Sequence, residues 1–518
     1  MKQLKKMLAL VLAVAMVMAM GVGVMAAPGD FTGEVETSIN ASGLTAGDTV
    51  QVYQLVKWDA TTNNWALNQE CGVVLANLID GITEEEATTI AGSTLSLLTT
   101  LTVGEDGKVS YDCSNNPGLF YLKGIPGENN KDTVYNPAFV SADYYEGGNT
   151  VDFSDTIGNS TVIKKSTVPF DKEVTGADQF VDVKPGDVIP YKITTIIPSY
   201  GTSFTNPQFI ISDTLSTGLA LEGAITVKYG TTTITASDDN VTITPNGTSG
   251  FTVTFAKDYL TGLAGTTPAV EVTYSAKVTT EATENVTYMD NKAKLTFSNT
   301  PTTTKEQEDI TRHYTFSIDS TLNGGNHGNE KTRELIKIGV DEAGETITAF
   351  TSWVEGKEWT TYSPLAGATF TLTPVAPTTG QAKTYTTEAE GYITFTGLDA
   401  GTYKLVETEA PAGYVKDSSE HTVIITPTYT QGTDILESYT VSIDGATSTY
   451  TITNMSDTDA TVETTVDATS MTFPVVNTKG SELPTTGGIG TTIFYIIGAI
   501  LVIGAGILLV ARRRTNAE

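Results

Sequence analysis

Two long apolar runs bracket the chain, and short alternating stretches fill the space between them. Met7 to Met25 follow Lys2, Lys5 and Lys6, and a small-residue site, Val24-Met25-Ala26, precedes Ala27-Pro28. This pattern predicts a secretory signal peptide over residues 1–26, cleaved after Ala26. Near the other end, Ile493 to Ala511 carry no charged side chain, and Arg512, Arg513 and Arg514 follow. A run of this length is able to cross a bilayer as a helix, with the arginines held on the cytoplasmic side. With both ends set aside, an ectodomain from about Ala27 to Ser481 remains.

Within it the apolar period is two. Val50-Gln51-Val52-Tyr53 and Val270-Glu271-Val272-Thr273-Tyr274 alternate, and Thr422-Val423-Ile424-Ile425 is a short β-branched run. Long amphipathic helical patterns are scarce. The text predicts an all-β fold of tandem immunoglobulin-like β-sandwich domains. A strand is expected over Val50 to Trp58, and Glu84 to Thr100 reads as a helical insertion in the first domain. The length suits about three domains. The expected divisions are 27–165, 166–312 and 313–480, with residues 481–518 as the tail.

Composition narrows the function. The formal net charge is −30, which argues against nucleic acid and anionic membrane as partners and suits a soluble exported protein. Cys71 and Cys113 are the two cysteines. In an exported protein they either pair or remain two separate buried thiols. His313, His327 and His421 belong to no HExxH pattern, and the sequence has no CxxC pair, P-loop or GxSxG elbow. No cofactor, metal site or enzyme is expected.

Before the C-terminal apolar run stand Leu483, Pro484, Thr485, Thr486 and Gly487. The order LPTTG, apolar span, arginines resembles the sorting signal of Gram-positive sortase substrates. The resemblance implies that a membrane transpeptidase cuts Thr486–Gly487 and passes the Thr486 acyl group to an amine.

Other stretches point the same way. Pro117-Gly118-Leu119-Phe120-Tyr121-Leu122, then Tyr135-Asn136-Pro137-Ala138-Phe139-Val140, then a lysine, resembles the N-terminal domain of backbone pilins. That family's acceptor lysine falls here at Lys165, with Lys164 as second choice, although no Tyr-Pro precedes either. An unperturbed lysine is mostly protonated at neutral pH, so the transpeptidase would supply deprotonation. No lysine precedes Lys57 in the mature chain, so an early-strand lysine cross-link is not expected in the first domain.

The second and third domains each resemble pilin and adhesin domains that form a self-generated isopeptide bond. Phe170-Asp171-Lys172, Ile211-Ser212-Asp213 and Asp290-Asn291-Lys292 imply a Lys172–Asn291 bond with Asp213 as the acid. In the third domain, Leu365-Ala366-Gly367-Ala368-Thr369-Phe370 and Tyr403-Lys404-Leu405-Val406-Glu407-Thr408-Glu409-Ala410-Pro411-Ala412-Gly413-Tyr414 resemble the collagen-adhesin B-type repeat and its E-box. They imply a Lys337–Asn477 bond with Glu407 as the acid. In such bonds burial favours the neutral amine and the protonated acid; the amine attacks the Asn carbonyl and ammonia leaves.

As a whole the chain resembles the major (backbone) subunit of a sortase-assembled pilus. The implied partners are a sortase, identical subunits head to tail, ancillary pilins and peptidoglycan, with transient membrane insertion and a final place in the Gram-positive cell wall. The alternatives are a monomeric wall-anchored adhesin for host matrix or glycan, an ancillary pilin at base or tip, and a surface enzyme.

Overall fold

The computed structural model describes residues 38–515, apart from 60–63, 73–81, 115, 147–148, 152–156, 177–180, 264, 282–285, 319–333, 341–349, 352–362, 390, 456–459, 467–470 and 481–488. The expected signal peptide (1–26) and Leu483, Pro484, Thr485, Thr486 and Gly487 lie outside the described residues.

The first region carries strands β1 (Ser38–Ser42) and β2 (Thr49–Asp59), helix α1 (Glu84–Gly92), and strands β3 (Gly118–Ile125), β4 (Thr133–Tyr135), β5 (Ala138–Ala142) and β6 (Lys165–Thr167). β2, β3 and β5 are antiparallel neighbours, and both faces of their sheet are buried. Val50, Val52, Phe120 and Leu122 enter one core cluster. Leu55, Val56, Leu119 and Tyr121 enter the other. Alternation makes this division, and a register shift between Gln54 and Val56 re-aims the end of β2.

One of the two alternatives for the cysteines is met here, and one expectation changes. Cys71 packs in the second cluster and Cys113 in the first, so a sheet separates them and no disulfide joins them. The expected helix over Glu84 to Thr100 ends at Gly92, because Thr99–Thr102 pairs with β2 instead; its threonines suit a sheet better than a helix. Thr83 caps α1 with Glu86 in a capping box.

The second region contains β7 (Phe170–Val174), β8 (Val188–Ile196), β9 (Phe209–Leu215), β10 (Ala269–Val278), β11 (Val286–Thr300) and β12 (Thr303–Ile318). β7, β8 and β10 are consecutive in one sheet; β9, β11 and β12 are consecutive in another. Ile189, Tyr191 and Ile193 from the first face Ile211, Leu295 and Phe297 from the second across one core. This is a sandwich with period-2 inward positions.

β12 runs unbroken past Arg312 and His313, pairing with β11 from Thr303 to Phe316. The expected boundary therefore falls inside one strand. Tyr314, Phe316 and Ile318 at its end belong to the next core.

The third region holds β13 (Leu335–Val340), β14 (Thr369–Val375), β15 (Phe395–Leu398), β16 (Gly401–Glu409) and β17 (Met471–Thr478). β15 pairs with the end of β12 through Phe316 and Leu398. β13 and β17 run parallel, with Lys337 opposite Val475 and Gly339 opposite Asn477. β14 and β16 lie in a separate sheet. Helix α2 (Ile489–Thr515) follows. Its segment Ile493–Arg514 is long and apolar enough to cross a membrane.

Candidate functional site

Two buried polar clusters stand out, one in each sandwich. In the second region Lys172 arrives from β7, in one sheet. Asp213 on β9 and Asn291 on β11 arrive from the other. Asp213 is opposite Ala293, and Leu215 is opposite Asn291, so the two polar residues are diagonal neighbours on one face. Asp213 takes a position between the inward Ile211 and Leu215; Asn291 lies between Met289 and Ala293, both buried. Exposure is 5% for Lys172, 3% for Asp213 and 0% for Asn291.

Lys172 Nζ donates to Asp213 Oδ2 at 2.6 Å and to the Asn291 backbone oxygen at 2.9 Å. Burial pushes the Lys172 amine down to about 8, against the pull of Asp213. Burial pushes the Asp213 carboxyl up, against the pull of Lys172. Desolvation thus drives both groups toward their neutral forms. Asp213 Oδ1 and Asn291 Oδ1 are buried with no hydrogen-bond partner among the described residues, an arrangement that costs stability unless chemistry or a proton resolves it.

Tyr274 on β10 completes the cluster. Its hydroxyl donates to Asp213 Oδ2 at 2.6 Å and accepts from Asn291 Nδ2 at 3.0 Å. The Tyr191 ring stacks on it at 5.2 Å, and the Tyr191 hydroxyl shares a 2.8 Å hydrogen bond with His313 Nε2. Sequence reasoning missed these residues. The alternation at Val270-Glu271-Val272-Thr273-Tyr274 aims Tyr274 inward, but an inward tyrosine reads as core.

In the third region the geometry is more direct. Lys337 on β13 and Asn477 on β17 share a sheet, and Glu407 on β16 reaches them from the facing one. Lys337 Nζ donates to Asn477 Oδ1 at 2.5 Å and to Glu407 Oε2 at 3.3 Å. Asn477 Nδ2 donates to Glu407 Oε1 at 2.9 Å, and the Asp417 backbone N–H donates to Glu407 Oε2 at 2.7 Å. The side chains are sealed, with 0% exposure for Lys337 and Asn477 and 1% for Glu407. Burial pushes the Lys337 amine down to about 8, with Glu407 opposing. Phe370 closes one side, its ring centroid 5.5 Å from Nζ.

The E-box text has a packing role as well. Gly339, opposite Asn477, leaves room for the Tyr414 ring; a Cβ there would come within 2.6 Å of it. Glu407 shares its inward face with Tyr403 and Leu405, whereas Glu409 at the strand end is exposed.

The two candidate acceptor lysines differ. Lys164 is exposed and Lys165 half-buried. Lys165 lies on β6 opposite Tyr135 of β4, and its Nζ donates to Thr45 Oγ1 at 2.8 Å. The Thr45 backbone N–H donates to the Tyr135 hydroxyl, which donates to buried Asp48 Oδ2 at 2.6 Å. The Lys165 amine is thus held at a defined place, while the Lys164 side chain projects to solvent. Among the described residues no group of three or more His, Cys, Asp or Glu side chains could hold a metal ion.

Comparison with known proteins agrees with this architecture. Residues 355–438 match the model of a prealbumin-like fold domain, SpaA, and residues 475–517 match the LPXTG cell wall anchor motif. The trypsin-resistant surface T6 protein of Streptococcus pyogenes serotype M6 is 25% identical over 92% of this chain and 95% of its own length. The solved structure of the T6 backbone pilin of serotype M6 S. pyogenes, described as modular and three-domain, superposes with a TM-score of 0.55 at 21% identity, over 87% of this chain and 100% of that one. The chain is therefore a homologue of the T6 surface protein, with the mostly β fold of a pilin, a prealbumin-like SpaA domain and an LPXTG cell-wall anchor.

Proposed function

We propose that this chain is the backbone subunit of a covalent surface fibre. A sortase joins the Thr486 carbonyl of one subunit to a lysine of the next, Lys165 before Lys164, and the finished fibre is linked to peptidoglycan, with ancillary pilins as further partners. Residues 27–165, 166–312 and 313–480 act as successive domains. Two of them carry intramolecular amide bonds, Lys172 to Asn291 and Lys337 to Asn477, formed with Asp213 and Glu407 as acids.

The observation that carries this reading is the pair of buried Lys–acid–Asn clusters. Each links the first strand of its sandwich to a strand near its end. A subunit under axial load gains from that reinforcement, and the lysine held beside Thr45 at the end of the first region supplies the acceptor that a monomeric adhesin would not use. A catalytic role on an outside substrate is disfavoured, because all six side chains are closed off from solvent.

The test is an immunoblot of wall extracts boiled in SDS and reductant, from cells with the cognate sortase. A ladder of high-mass species is expected. A single monomer band would turn the assignment to a monomeric wall-anchored adhesin.

A further inference from the structure

The two clusters solve the same chemical problem with acids of different length. In the third region Glu407 touches both reactants, Oε2 on the Lys337 amine and Oε1 on Asn477 Nδ2. In the second region the acid is one methylene shorter. Asp213 Oδ2 meets the Lys172 amine, but the hydrogen bond from Asn291 Nδ2 goes to Tyr274 instead. The Tyr274 hydroxyl in turn donates to that same Asp213 oxygen. It occupies the gap that a longer acid would close.

We propose that Tyr274 is a catalytic residue for the Lys172–Asn291 bond, relaying a proton from Asp213 to the departing Asn291 nitrogen. The inference rests on the reading that this bond forms. The Lys172 nitrogen pair attacks Asn291 Cγ, and the carbonyl π pair moves onto Oδ1, which takes the proton of the neutral Asp213. The surplus proton on Nζ passes to Asp213 Oδ2, 2.6 Å away. In the tetrahedral intermediate Nδ2 is an amine with a free lone pair. Tyr274 gives it the hydroxyl proton across the present 3.0 Å contact and recovers one from Asp213 Oδ2. The Cγ–Nδ2 bond breaks, ammonia leaves, and Oδ1 returns its proton to Asp213. Lys172 has lost one hydrogen and the leaving nitrogen has gained one; Asp213 and Tyr274 end as they began.

The surroundings suit this role. Tyr274 is 4% exposed, so no bulk water is at hand to carry the proton. Burial and the adjoining Asp213 push the hydroxyl far above its ordinary value, so it stays protonated and acts as a shuttle rather than an anion. Its ring is held between Tyr191 and Phe251, at centroid distances of 5.2 and 4.7 Å, which fixes the hydroxyl between donor and acceptor.

The experiment is intact mass and peptide mapping of freshly purified wild-type, Tyr274→Phe and Asp213→Asn ectodomains. Wild type is expected to be lighter than its sequence by two ammonias. Tyr274→Phe should be lighter by one, with the Lys337–Asn477 bond intact as an internal control and the Lys172–Asn291 bond lost or formed at least tenfold more slowly. Its thermal melt and far-UV spectrum should match those of Asp213→Asn, which separates lost chemistry from lost folding. A Tyr274→Phe ectodomain that loses both ammonias at the wild-type rate would overturn the inference and leave the cross-link reading standing. A wild type that loses no ammonia would overturn that reading and this inference together.

Discussion

Asn477 stands one step diagonally beyond Lys337 on the neighbouring parallel strand, and its Oδ1 lies 2.5 Å from the lysine Nζ. Parallel pairing places the first and last strands of this region side by side and pointing the same way, so the two side chains can meet without distorting either strand. Everything folded between them, 140 residues further along the chain, lies outside the short path from β13 to β17.

Removing the acid should remove the bond. Glu407→Ala leaves the Lys337 amine beside the amide with no group to take its proton. The purified ectodomain should be lighter than its own sequence by one ammonia, where wild type is lighter by two. If the cross-link acts as a disulfide would on a loop of this length, the variant should lose roughly 5 kcal/mol of stability. Mass spectrometry and denaturant titration check the two effects separately.

A glycine governs the placement of the other acid. Gly250 pairs with Thr214 at φ +142°, and a Cβ there would lie 2.0 Å from the Asp213 carbonyl oxygen. Backbone cannot yield as a flexible side chain does. Gly250→Ala should therefore destabilise the second sandwich by about 1–3 kcal/mol and slow the Lys172–Asn291 bond by moving Asp213. Unchanged stability and an unchanged rate would contradict this role for the glycine.

An amide does not titrate, and that gives a pH signature. In Asn477→Ala, Lys337 stays an amine, buried beside Glu407 and near Asp417, with a folded value of about 8 against 10.5 in the unfolded chain. Between those values the unfolded state binds the proton and the folded state does not. Stability should then rise with pH above about 8, at up to roughly 1.4 kcal/mol per unit, levelling off past the unfolded value. The wild type, with Lys337 acylated, should lack this slope. Denaturant midpoints measured from neutral to strongly alkaline pH test it.

Much of this was legible in the sequence because chemistry-bearing residues interrupt otherwise apolar faces. Asp213 between Ile211 and Leu215, and Glu407 after Tyr403 and Leu405, show their parity in the text. Tyr274 was hidden because a tyrosine on an apolar face also fits the core, and only the partner sheet reveals what its hydroxyl meets. The join at Arg312–His313 lies inside β12, which passes from exposed positions to continuous burial at Thr311 with no Gly or Pro to mark where one core hands over to the next. There Arg312 is locked to Asp434 by hydrogen bonds of 2.6 and 2.9 Å. The helix start is marked by Thr83-x-x-Glu86 and its stop by Gly92 and the threonines at 99 and 100, but the reach of the β2 sheet to those threonines was not readable.

The acceptor is decided by which amine a transpeptidase can use. Lys165 is held by Thr45, while Lys164 is more exposed but lacks a fixed direction. If orientation outweighs exposure, the ladder should vanish in Lys165→Ala and survive in Lys164→Ala, and peptide mapping of wild-type polymer should find Thr486 joined to Lys165. Loss only in Lys164→Ala would keep the covalent fibre and show that reach outweighs orientation.

Load supplies the sharpest test of the third-region bond. In a fibre joined through the Thr486 carbonyl and a lysine near residue 165, tension passes the end of β12, reaches the Lys337–Asn477 pair through β13 and leaves through β17. Parallel terminal strands held by hydrogen bonds alone would shear apart, after which the sandwich would unravel. With Lys337 joined to Asn477, tension passes across one amide and the segment between never feels it. In a single-molecule pulling experiment with handles before β7 and after β17, Asn477→Ala should show an extension step of roughly 460–500 Å, the extended length of the 140 residues separating the pair. The wild type should lack that step at any force short of covalent rupture. A wild-type trace with the same step would mean that the terminal strands are not covalently joined, whatever their proximity.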